Sequence, residues 1–91
     1  METLNLSSLT REKLNQFRAG KATLPSVVES AVTDFKKHLN ITDAVGTQSH
    51  VLQSDAVIIY VRDRCLIHAI LIDEGHIYYL GSRPDPDCIF V

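Results

Sequence analysis

Hydrophobic positions recur at helical spacing in the first half of the chain and in short, nearly continuous runs in the second, with the change near residue 45. Val27, Val28, Ala31, Val32, Phe35 and Leu39 follow the i, i+4, i+8 rhythm of one buried helix face. Glu29, Asp34, Lys36 and Lys37 line the opposite side. Pro25 suits a first turn, so the spacing predicts a helix from there to about Asn40. Upstream, Ser8 or Thr10 can cap a shorter helix that runs to Ala19, with Gly20 as its stop. Leu9, Leu14 and Phe17 give that helix its apolar edge.

From His50 onward the rhythm is that of strands. AVIIYV (56–61), CLIHAILI (65–72) and HIYYLG (76–81) are rich in β-branched and aromatic residues. Asp63-Arg64 and Glu74-Gly75 between them have the size and composition of two-residue hairpin centres. HVLQ (50–53) and CIFV (88–91) can add short edge strands, and SRPDPD (82–87) reads as an extended, rigid connection.

Those turns imply that Arg62 opposes Cys65 and that Asp73 opposes His76, and alternation then sorts the side chains onto two faces. One carries Val57, Ile59, Val61, Leu66, His68, Ile70, Ile72, Ile77 and Tyr79, with His68 flanked by Ile59 and Gly81. The other carries Ala56, Ile58, Tyr60, Cys65, Ile67, Ala69, Leu71, Tyr78 and Leu80. Both are apolar, whereas an antiparallel sheet with one wet face alternates cleanly. The expected fold is α+β, with two N-terminal helices packed on one face of a three- to five-stranded antiparallel β-meander. Residues 1–91 form one domain, helical over about 8–40 and sheet over about 50–91. Two helices cover one face only. The second must meet another copy, a different partner, or the chain's own terminal segments.

Composition narrows the function. A chain of 91 residues has room for one modest core and no separate substrate domain. Net charge is −2, and the longest basic run is Lys36-Lys37, so the electrostatic footprint of a nucleic-acid binder is missing. Arg11, Arg18 and Lys21 form at most a weak basic stripe, which leaves a nucleic-acid-binding regulator as the third reading. No apolar run approaches the about 20 residues that cross a bilayer. Two cysteines are too few for a disulfide scaffold, no C-x-x-C occurs, and the N-terminus does not read as a signal peptide. A reducing cytoplasm is the expected setting, in which the sequons at Asn5 and Asn40 are accidental.

Candidate chemistry concentrates in RCLIHAILIDEGHIYYL, 64–80. Cys65 and His68 lie three apart on one strand, pointing to opposite faces about 10 Å apart at about 3.3 Å per residue, so they form no local dyad. Cys65, His68, His76 and Cys88 have zinc-compatible chemistry but not a ligand spacing, and neither a metal nor a cofactor is expected. HAILIDEGHIYYLG (68–81) is similar to papain-like hydrolases, which place a histidine on one strand and a carboxylate or amide on the next. That resemblance implies a cysteine hydrolase using Cys88 with His68 or His76. It departs from the pattern because those enzymes set the cysteine at a helix N-terminus, and neither predicted helix contains one. No family is assigned on it.

The leading expectation is a non-enzymatic module acting by protein contact, as a dimeric accessory, inhibitor, immunity-type or adaptor protein. Its contact residues are expected among Ile58, Tyr60, Ile67, Leu71, Tyr78 and Leu80 on the second face. Arg83, Asp85, Asp87 and Phe90 in the C-terminal segment complete the set, the two carboxylates steering a basic partner.

Overall fold

A Ser7 side chain that accepts a hydrogen bond from the Thr10 backbone amide (3.2 Å) starts the first helix one residue before the expected cap. The structure, a computed structural model, describes residues 2–53, 56–73 and 75–88. Its elements are β1 (Glu2–Asn5), α1 (Ser8–Arg18), α2 (Leu24–Leu39), β2 (Gly46–Val51), β3 (Val57–Asp63), β4 (Leu66–Asp73) and β5 (His76–Pro84). Gly20, with φ 74°, ends α1 by donating to the Phe17 carbonyl while Lys21 donates to Gln16, a pair of bonds that needs a left-handed residue.

The strands form one five-stranded antiparallel sheet in the order β1-β5-β4-β3-β2. The expected α+β architecture is therefore present, with β2 to β5 as a meander and β1 added beyond β5. Both helices lie on one face. Val27, Ala31 and Phe35 of α2 pack against Val57, Ile59, Val61, Ile70, Ile72 and Ile77, all fully buried. On α1 the buried positions are Thr10 and Leu14, whereas Leu9, expected on the apolar edge, is exposed. Thr10 takes the inward place because its hydroxyl has partners there: Ser30 Oγ and Asp34 Oδ2, each at 2.7 Å. Asp34 also accepts from the Ser7 amide at 3.0 Å, which draws it off the solvent side and couples α2 to the start of α1.

The second hairpin has the expected register, Asp73 opposite His76 across Glu74-Gly75. The first is displaced by two positions. Asp63 pairs with Leu66 and Arg62 with Ile67, so Arg64 and Cys65 make the turn, with Arg64 at φ 57°. A two-residue displacement preserves the side-chain faces. It does place His68 opposite Val61 and Ser82 instead of Ile59 and Gly81. A bulge in β5 accounts for the other change, because Ile70 pairs with Tyr79 and Ala69 with Gly81, leaving Leu80 as the extra residue. Gly81 is required there by its backbone, at φ 117°.

Candidate functional site

The face of the sheet turned away from the helices is the largest uncommitted surface. Register places Tyr78, Leu71 and Ile58 side by side across β5, β4 and β3, with Thr3 and His50 at the two edges. The next row holds Gly81, Ala69, Tyr60 and Gln48, beside the bulged Leu80. The row after that holds Arg83, Ile67, Arg62 and Gly46. Ile58, Tyr60, Ile67, Leu71 and Tyr78 are half-buried and Leu80 is exposed, although strand neighbours flank them. Among the described residues no helix crosses this face, and the segment 85–88 meets it only at its Arg62 end. The N-terminal segment pairs at the edge of the sheet instead of folding over it.

Two hollows lie on the same face. One, of about 450 Å³, is lined by Gln48, Tyr60, Arg62, Ile67 and Arg83. The other, of about 320 Å³, lies over Ala69 and Gly81 with Tyr60, Leu80 and Arg83 at its margins. The surface is therefore an apolar strip with Arg83 and Arg62 at one end, and Asp73, beside His76, stands at the other.

The C-terminal segment is built differently from the sequence expectation. Asp85 is only 7% exposed, and its carboxylate pairs with Arg62 Nε at 2.8 Å. It also accepts the Asp87 amide at 2.9 Å, while the Asp85 amide donates to the Cys65 carbonyl at 2.8 Å. Asp87 reaches the same guanidinium at 3.8 Å. These carboxylates are held by the protein's own Arg62, so Asp85 is not presented outward for a basic partner. Arg83, expected beside them, faces the sheet hollow instead. Phe90 lies outside the described residues, as does the expected strand continuation beyond Cys88.

Cys88 closes this cap by bonding to Cys65, with Cα atoms 5.3 Å apart. A disulfide sulfur carries no thiolate, so in this state Cys88 is not the nucleophile that the papain-like resemblance required. Neither histidine stands with it: none of their described contacts involves the cysteine pair. Nor do three or more His, Cys, Asp or Glu side chains gather as a metal-binding group among the described residues. The pairing left no local signal in the sequence, because 23 positions separate the two cysteines.

His68 lies under α2, 6% exposed, and its Nδ1 shares a 2.8 Å hydrogen bond with the Tyr79 hydroxyl. Phe35 packs against both rings at 5.4 Å. A strand residue thus satisfies the polar interruption of the apolar face. Burial pushes the His68 pKa below its ordinary 6.5, opposed by the negative charge of Asp63. A folded-state value below the unfolded one gives a stability contribution that is complete above pH 6.5 and declines as the pH falls toward the native pKa. The melting temperature should fall on acidification below that point, and the fall should be shallower in His68→Gln. Parallel melting curves for the two proteins from pH 7.5 to 5 would show that His68 carries none of it.

Comparisons with protein-family models, with curated proteins and with solved structures each found no match, so the functional reading rests on this chain's own geometry.

Proposed function

We propose that this protein is a small protein-binding module that works by contact through the open face of its sheet. The observation that supports this reading is the apolar strip formed by Tyr78, Leu71, Ile58, Tyr60, Ile67 and Leu80, which no described element covers. A contiguous apolar surface with a polar margin marks an interaction site, because leaving it in water forgoes about 25 cal/mol for each Å² that a partner would bury. Thr3, Gln48 and His50 supply that margin along the two edge strands.

The role is that of an accessory, inhibitor, immunity-type or adaptor protein, and the proposed setting is cytoplasmic. The cysteine pair is the feature that opposes this setting, since disulfides persist in oxidising compartments and are kept reduced in the cytosol. No described helix is long and apolar enough to cross a membrane.

Leu71, at the centre of the strip, is the residue to change. Leu71→Arg should leave the melting temperature within a few degrees, because the side chain is not in the core, and should weaken partner capture at least about tenfold. Capture from the native host with chemical cross-linking, performed in parallel on both proteins, reads this directly. An unchanged set of partners cross-linked through this face would overturn the proposal.

A further inference from the structure

Resting on that reading, we infer that the partner on the open face is a second copy of this chain. Two copies pack face to face with their strand ends reversed, so that Arg83 of each approaches Asp73 of the other. A two-fold axis lying between the sheets and running across the strands exchanges the rows of the face. The row holding Arg83, Ile67 and Arg62 then lies over the partner's row of His76 and Asp73. The row holding Gly81, Ala69 and Tyr60 lies over the partner's Tyr78, Leu71 and Ile58.

Shape favours this orientation. Ala69 and Gly81 floor the hollow of about 320 Å³, with Tyr60 and Leu80 as its walls. Reversal brings Leu71 of the second copy over Ala69, its Ile58 beside Tyr60 and its Tyr78 beside Leu80. Large side chains meet small ones, as close packing between sheets requires, within the inclination of about 30° that aligned sheets adopt.

Charge selects the same axis. Arg83 and Asp73 have no ion-pair partner among the described residues, and they occupy opposite ends of the face. The alternative two-fold, along the strands, would leave each Arg83 at the opposite end of the interface from the partner copy's Asp73, so neither charge would gain a counter-charge.

Area sets the strength. Five strands at about 4.8 Å and seven residues at about 3.3 Å give a face of about 500 Å² per copy. Burying it twice removes about 1,000 Å², near the lower limit for a specific interface, so the dimer should form in the micromolar range.

The test is sedimentation equilibrium on the intact, oxidised protein from about 1 to 500 µM, with circular dichroism confirming the fold of each variant. The natural chain should dimerise. Arg83→Glu and Asp73→Arg should each raise the dimer dissociation constant at least about tenfold, since each change acts at two symmetric contacts. The double variant should return to within about threefold of the natural chain. Arg83→Gln, which removes charge without adding repulsion, should weaken the dimer less and reduce its salt dependence.

A natural chain that stays monomeric at 500 µM overturns the dimer, and so does a double variant as weak as the singles. The broader reading is tested separately by the Leu71→Arg capture experiment. If that variant loses a different cross-linked partner while the natural chain is monomeric, the face binds protein and the second copy is the wrong occupant.

Discussion

Phe35→Ala is expected to bring the protein close to its unfolding threshold. The ring is fully buried on α2 and touches the His68 and Tyr79 rings, each at 5.4 Å. Truncation removes the largest side chain in the contact between α2 and the sheet and leaves a cavity beside the His68 and Tyr79 rings. Such changes cost about 3–5 kcal/mol, against a total of about 5–12 kcal/mol for a domain of this size. At about 4–8 °C per kcal/mol the melting temperature should drop by roughly 12–40 °C. Calorimetry or circular dichroism measures it, and a loss under about 1.5 kcal/mol would mean that the helix repacks without the ring. Phe35→Leu should recover more than half of the loss, because it restores most of the volume.

The second large effect belongs to the cysteines. Cys65 is half-buried in the first hairpin turn, so its own packing contributes little. Bonded to Cys88 across 23 positions, it also restricts the unfolded chain, and closing a loop of that length is worth roughly 3 kcal/mol on the chain-entropy argument. Reduction, Cys65→Ser, Cys88→Ser and the double variant should therefore lower the urea midpoint by similar amounts. The two single changes should not add, since either one breaks the same bond. Identical midpoints with and without reductant, in a protein shown by mass to be oxidised, would remove the disulfide from the account of stability.

How much of this was legible depended on range. The second helix could be read from Pro25 to Asn40 because its signals are local: a proline in the first turn, six apolar residues in phase, and an Asn able to end it left-handed at φ 57°. The membership of the two sheet faces also survived as far as Tyr79, since alternation depends on parity and the displacement at the first hairpin was two, whereas the bulge at Leu80 moved Gly81 to the open face. What escaped depends on distant partners. Thr10 looks like a surface cap until Ser30 and Asp34 are beside it. Asp85 looks like a displayed carboxylate until Arg62 folds against it. The strand Glu2–Asn5 is too short for a period to show, and its pairing residues lie at the far end of the chain. Of the candidate contact residues, the six apolar ones and Arg83 share the open face, while Asp85 and Asp87 belong to the cap beside the first hairpin turn.

The pairing of Glu2 with Tyr79 and of Asn5 with His76 also dictates an order of events. β1 has no strand to join until β5, made much later, follows it. By then the contacts within and between the helices, which span short loops, have had time to form. Docking of β1 is thus expected late in folding, and it covers what had been the free edge of β5. Until it occurs, that edge offers unpaired backbone groups to any other chain nearby. A newly made copy is therefore most prone to the wrong company in the interval between completing β5 and pairing β1 with it.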